Sequence, residues 1–91
     1  MRSEPNDATV RRYAELVRTF LGDNKPEEQF VKAFLEEWRT DRDAGVTTGA
    51  IVDALMTAVD AYRPDPTEPW ELGSDELRRE AAAALAQLTT P

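Results

Sequence analysis

The sequence predicts an all-α protein that folds as an antiparallel four-helix bundle in a single domain. Apolar residues recur at spacings of three and four in four separate stretches, which is the pattern of amphipathic helices. Short breaks with glycine or proline separate these stretches, and short connections favour helices that pack up and down against their neighbours. No stretch alternates apolar and polar residues, so no strand is expected. All 91 residues belong to this domain, with residues 1–6 and 89–91 as frayed tails.

The first two helices are predicted from their caps and their apolar stripes. Asp7 suits the N-cap or first turn of the first helix, and Gly22 ends it. Pro26 suits the first position of the second helix, which ends before Gly45. The charged run at its end, W-R-T-D-R-D, is expected to form local ion pairs on an exposed face, and Arg12 should lie on the outer face of the first helix. The stripes expected in the core are Val10, Tyr13, Val17, Phe20 and Leu21, then Phe30, Phe34, Leu35 and Trp38.

The third and fourth helices flank a proline-rich break. Thr47 or Thr48 can cap the third helix. Arg63 marks its end, because a residue that precedes a proline is disfavoured in the α conformation. Ser74 is predicted as the N-cap of the fourth helix. The expected core stripes are Ile51, Leu55, Ala58, Val59 and Tyr62, then Leu77, Ala81, Ala84, Leu85 and Leu88.

Composition excludes several classes of function. The net charge of −7 and pI of about 4.5 argue against binding to nucleic acid or anionic membranes, and permit a basic protein partner. The chain has no Cys and no His, so disulfides, thiolate metal sites and the commonest general base are missing. Paired carboxylates of the glycosidase kind remain, but a bundle of this size has no cleft for a sugar chain. We therefore expect no catalytic residue, no metal and no cofactor.

The location predicted for the protein is the cytoplasm. No apolar run approaches the ~20 residues that span a bilayer, and the first residues lack the apolar region of a signal peptide.

Residues 60–76, which we call the acidic segment, are the most distinctive stretch. They contain six carboxylates and one arginine, so they carry −5 of the net charge of −7. Pro64, Pro66 and Pro69 fix φ and remove backbone donors, which predicts a stiff surface loop. A fixed negative surface suits docking to a basic partner.

The simplest explanation of an acidic loop is that it is merely solvated. Asp75 and Glu76 need no other explanation, because carboxylates are favourable at a helix N-terminus. Asp60 lies near a helix C-terminus, where its charge is unfavourable, and Asp65 lies between two prolines where no cap needs it. Trp70 is expected to fold back as a lid over the end of the bundle; the alternative is an anchor for a partner.

Three runs resemble the bacterial self-protective colicin-like immunity family, in particular its colicin D type. They are F-V-K-A-F-L-E-E-W-R-T-D-R-D, I-V-D-A-L-M-T-A-V-D-A-Y-R-P-D-P and W-E-L-G-S-D-E-L-R-R-E, and the resemblance covers residues 29–88. Its most specific part is the helix end D-A-Y-x-P-D-P, followed by Trp70, Glu71 and Leu72 and an acidic-capped last helix.

The resemblance implies a four-helix bundle that binds and neutralises a cognate toxin. In the colicin D type, this toxin is a tRNA-cleaving ribonuclease whose basic active site is occupied by acidic residues. By this resemblance the inhibitory carboxylates are Asp60 and Asp65, while Arg63 departs from the family pattern, which is acidic there. We predict that a monomer binds the basic nuclease domain of one toxin. The predicted partner-binding residues are Asp60, Arg63, Asp65, Glu68, Trp70 and Glu71. The alternative is a small acidic helical adaptor that has no toxin partner and works through an exposed apolar stripe.

Overall fold

The computed structural model describes residues 5–89, which form four helices. They are α1 (Asp7–Gly22), α2 (Glu27–Asp43), α3 (Gly49–Ala61) and α4 (Ser74–Leu88). Helix α1 packs against α2 and α4, and α3 packs against the same two helices, so the four form a closed ring around one core. Within residues 5–89 no strand is formed, and the predicted all-α antiparallel bundle is confirmed. None of the described helices is both long and apolar enough to cross a membrane.

The first two helices begin within one residue of their predicted starts. Asn6 is the N-cap of α1, and its side-chain oxygen accepts a hydrogen bond from the Thr9 amide at 2.8 Å. Asp7 is therefore a first-turn residue, which was one of its two predicted positions. Pro26 is the N-cap of α2 rather than its first residue, because its ψ of 143° is extended. Of the two predicted tails, residues 1–4 and 90–91 lie outside the described residues.

At the N-termini of α3 and α4, the side-chain hydroxyls that were predicted to cap the helices donate to carboxylates instead. Thr48 occupies the N-cap of α3, but its hydroxyl donates to the Asp53 carboxylate at 2.7 Å instead of capping a backbone amide. The N-cap of α4 is Gly73, and the prediction of Ser74 was wrong by one residue. The Ser74 hydroxyl donates instead to Glu27 of α2 at 2.8 Å. An interhelix bond thus replaces the expected local cap.

The core follows the inner members of the predicted stripes. The Phe20 and Phe30 rings stack at 4.2 Å, and Tyr13 meets Phe34 edge to face at 5.5 Å, so aromatic pairs join α1 to α2. Trp38 was predicted in the core, yet it is only partly buried at the core's edge. The residues of the buried cluster are Tyr13, Val17, Phe20, Phe30, Phe34, Val52, Leu55, Ala58, Val59, Tyr62, Leu77, Ala81 and Ala84.

A buried polar network also joins α1 to α2. Asp41 is only 4% exposed and accepts hydrogen bonds from the Tyr13 hydroxyl at 2.7 Å and from Arg12 Nη2 at 3.1 Å. Arg12 also pairs with Glu37. Burial, and then the bond to Asp41, raise the pKa of Tyr13 above its ordinary value. The Arg42–Asp43 pair at the end of α2 is local and exposed, as predicted. The sequence did not predict that Asp41 is buried and joined to Arg12 and Tyr13 of α1.

Candidate acidic interaction site

The acidic segment lies at the end of the bundle where α2 and α4 begin. Arg78 of α4 fixes this end, because its Nη2 donates to the Lys25 carbonyl at 2.9 Å and to the Glu27 carboxylate at 2.7 Å. The same guanidinium lies 4.4 Å from the centre of the Phe20 ring. Through Arg78, the start of α4 is anchored to α1, to α2 and to the loop between them.

Two backbone hydrogen bonds hold the two ends of the loop between α3 and α4 together. The Leu72 amide donates to the Ala61 carbonyl at 3.0 Å, and the Arg63 amide donates to the Leu72 carbonyl at 2.9 Å. Tyr62, between them, is buried, and Leu72 packs against the core. Residues 63–71 therefore project from a closed base.

Glu71 is turned into this loop. Its Oε1 accepts hydrogen bonds from the Thr67 amide at 2.8 Å, from the Glu68 amide at 3.1 Å and from the Thr67 hydroxyl at 3.3 Å. Its Oε2 lies 3.4 Å from Arg63 Nε. The bonds from the amides of Thr67 and Glu68 are the main causes that lower its pKa, and Arg63 adds to them. The carboxylate is thus occupied within the segment.

Arg63 is also occupied within the segment. Its Nη1 donates to the carbonyls of Tyr62 at 2.7 Å and Asp60 at 3.1 Å, at the C-terminal end of α3. A cation at this position satisfies exposed carbonyls and is favourable with the helix dipole. Arg63 therefore has a structural role in this fold.

Three carboxylates of the segment have no such role. Asp60, Asp65 and Glu68 are exposed, and their side chains form no hydrogen bond or ion pair with any residue from 5 to 89. Trp70 is 69% exposed, so the prediction that it covers the end of the bundle was wrong. Leu72, two residues further on, packs against the core instead.

The fold places all six predicted partner-binding residues in one surface region but divides them into two groups. Arg63 and Glu71 are used by the segment itself, whereas the other four side chains point to solvent. Within residues 5–89, no group of three or more carboxylates is placed to hold a metal ion.

A shallow groove that the sequence did not predict adjoins the segment. Its volume is about 500 Å³. Its apolar walls are Val31 and Leu35 from α2, with Tyr62 and Pro64 from the start of the loop, and its rim carries Glu28, Lys32, Glu36 and Arg39. The groove combines residues more than 20 positions apart in the chain, so no single stretch of sequence indicates it.

Comparison with known protein families gives a match over nearly the whole chain. No curated protein and no solved structure matches the chain significantly. The model of the family described as bacterial self-protective colicin-like immunity matches residues 8–88, from the first turn of α1 to the end of α4. This match includes α1, upstream of the region in which the sequence motifs carry the resemblance. The chain therefore belongs to the bacterial self-protective colicin-like immunity family.

Proposed function

We propose that this protein is an immunity protein that neutralises a cognate bacterial toxin, and that the toxin is a tRNA-cleaving ribonuclease domain. In this proposal the acidic segment occupies the basic active site of the ribonuclease in place of RNA phosphates. Family membership supports the toxin-neutralising role. The observation that carries the mechanism is a set of exposed carboxylates without an internal partner: Asp60 at the end of α3, and Asp65 and Glu68 on the loop with a closed base.

The charged side chains that stabilise this region are different from the carboxylates that have no internal partner. Glu71 and Arg63 form bonds within the loop, and Asp75 and Glu76 lie in the first turn of α4. Asp60 has no corresponding structural function and lies at the unfavourable end of α3. Free carboxylates on one surface steer a basic protein toward it, and steered association reaches about 10⁸–10⁹ M⁻¹s⁻¹ at low salt.

Trp70 is the apolar part of the proposed interface. It is the large hydrophobic side chain left exposed on the surface of residues 5–89, and it lies among the free carboxylates. Tryptophan is enriched among the residues that dominate binding energy, because it buries a large area and also donates a hydrogen bond. We expect it to pack against the toxin beside the active site.

The complex is proposed to contain one copy of each protein and to form in the cytoplasm. There, the ribonuclease would otherwise reach the tRNA of the cell that makes it.

A second candidate is the small adaptor without a toxin partner. One observation favours it: a groove of about 510 Å³ between α1 and α2, whose walls include Leu16, Phe20, Phe30 and Ala33. An adaptor would bind its partner there, and the acidic segment would only be solvated.

The test uses the toxin domain that we expect to be encoded in a neighbouring reading frame, because the proposed function requires a cognate toxin. We expect calorimetry to show one-to-one binding, and tRNA cleavage to stop at one equivalent of this protein. Excess non-cleavable RNA should slow capture of the toxin without changing the final inhibited state. If RNA and this protein occupy the toxin together, inhibition occurs at an exosite and the phosphate-mimicry mechanism is wrong. If the toxin domain does not bind, the adaptor function is favoured.

A further inference from the structure

One carboxylate of the acidic segment differs from the others in its exposure. The Glu71 side chain is only 14% exposed. The carboxylates of Asp65 and Glu68, by contrast, lie on the surface of the same loop. In the closed loop, most of the Glu71 side chain is therefore covered and only a small part of it is accessible to a toxin cation.

The three prolines of the segment explain why the loop needs this carboxylate. Pro64, Pro66 and Pro69 have no amide hydrogen, so they cannot hold the loop by donating backbone hydrogen bonds. The two amides between Pro66 and Pro69 belong to Thr67 and Glu68, and both donate to Glu71 Oε1.

The backbone of Glu71 completes this arrangement. Its own amide donates to the Glu68 carbonyl at 3.0 Å, which closes a tight turn through Pro69 and Trp70. One residue therefore fixes the backbone that carries Glu68 and Trp70.

From these contacts we propose that Glu71 is a positioning residue of the toxin-binding site: its carboxylate holds the acidic segment in its binding conformation and does not itself contact the toxin. This inference rests on the function proposed above. It also revises the sequence-based prediction, in which Glu71 was one of the contacting residues. A loop that is ordered before binding loses less conformational entropy on association, so more of the interaction energy appears as affinity.

Two substitutions separate positioning from contact. Glu71→Gln keeps an oxygen that can accept the two amide hydrogen bonds, but it removes the charge. Glu71→Ala removes both. If Glu71 acts through the loop, Glu71→Gln should bind the neighbouring toxin domain within about 3-fold of wild type. Glu71→Ala should bind on the order of 10- to 100-fold more weakly, because apparent affinity falls with the fraction of molecules in the binding conformation. If Glu71 contacts a toxin cation, both variants should lose affinity to a similar extent, and the proposal is wrong.

Glu68→Gln is the matched control. Glu68 lies on the same loop and its exposed carboxylate makes no internal bond, so the same chemical change should weaken binding there. Loss of affinity in Glu68→Gln but not in Glu71→Gln supports the division between contacting and positioning carboxylates. Unchanged affinity in Glu68→Gln would count against the proposed function of the segment, and with it against Glu71 as part of a toxin-binding site, but not against its hold on the loop.

Hydrogen exchange on the free, full-length protein tests the positioning role without any toxin. The amides of Thr67 and Glu68 should be protected in wild type and in Glu71→Gln, and should exchange at least about 10-fold faster in Glu71→Ala. Amides in the core helices serve as the internal reference and should be unchanged. Equal exchange of the two loop amides in wild type and Glu71→Ala would overturn the proposal, even if the protein proved to be an immunity protein.

Discussion

Reversing the charge of Asp65 should abolish most toxin binding and leave the fold intact. Asp65 is exposed, lies between two prolines and makes no side-chain bond within residues 5–89. A surface side chain of this kind contributes little to stability, so Asp65→Lys should change the free energy of unfolding by no more than about 0.5 kcal/mol.

The effect on binding is larger because the proposed partner is a cation. A charge pair at about 4 Å is worth about 1 kcal/mol in bulk water and about 4 kcal/mol near a protein surface. Asp65→Ala should therefore weaken binding by about 5- to 700-fold. Asp65→Lys loses the attraction and adds a repulsion of similar size, so its loss should be at least about 30-fold.

Asp43→Lys is the matched control, because it changes the net charge by the same amount. Asp43 is the last residue of α2, which has 17 residues, and its side chain is 72% exposed. At about 1.5 Å per residue, it lies roughly 24 Å along the helix from the end that carries the acidic segment. The screening length is about 8 Å at 0.15 M salt, so Asp43→Lys should bind like wild type there.

Calorimetry at physiological salt and stopped-flow association from 0.01 to 0.15 M salt provide the measurements. Wild-type association should slow steeply as salt rises, with a smaller change in dissociation. Asp65→Lys should lose affinity at every salt concentration. Wild-type affinity in Asp65→Lys, or an equal loss in Asp43→Lys, would show that the carboxylate does not meet a toxin cation.

Three further predictions concern the fold. Phe34→Ala should lower the free energy of unfolding by about 2–5 kcal/mol in urea titrations, because it leaves a cavity in a small core; an unchanged midpoint would contradict the core assignment. Folding raises the pKa of Tyr13 above its ordinary value of 10.0, so the stability that this shift contributes is complete below pH 10 and is lost as the pH rises further. Tyr13→Phe should therefore reduce the loss of stability at alkaline pH, measured as melting temperature against pH. An unaltered pH profile would argue against the burial of the Tyr13 hydroxyl. The hydrogen bond from Ser74, followed by other hydrogen bonds, lowers the pKa of Glu27 below its ordinary value of 4.5. The stability that this shift contributes is present above pH 4.5 and is lost in more acidic solution. Glu27→Gln should therefore reduce the fall in melting temperature on the acid side of the pH profile.

For the candidate site, the sequence indicated the region but not the roles of its side chains. The charges and the prolines of residues 60–76 are visible in the chain itself. Whether a carboxylate faces solvent or its own loop depends on which amides the closed loop brings near it. Glu68 and Glu71 are both acidic and only three positions apart. The Glu71 carboxylate accepts a hydrogen bond from the Glu68 amide, whereas the side chain of Glu68 is exposed and makes no bond within residues 5–89. The exposure of Trp70 was missed for the same reason: in the closed loop Leu72 packs against the core, whereas Trp70 faces solvent.

The sequence by itself determined the four helices, their order and most of the core. Those features are local, because a stripe at helical spacing and a break at glycine or proline can be recognised within a single stretch. Only the tertiary structure decided that Asp41 is buried and that Glu71 is occupied. Asp41 meets Arg12 and Tyr13 across two packed helices, and Glu71 meets its donors only after the loop closes. The bonds of Asp41 join residues 28 and 29 positions apart, so they depend on how the helices pack. The bonds of Glu71 are short in sequence but depend on the backbone conformation of the closed loop. Periodicity and composition predict neither arrangement.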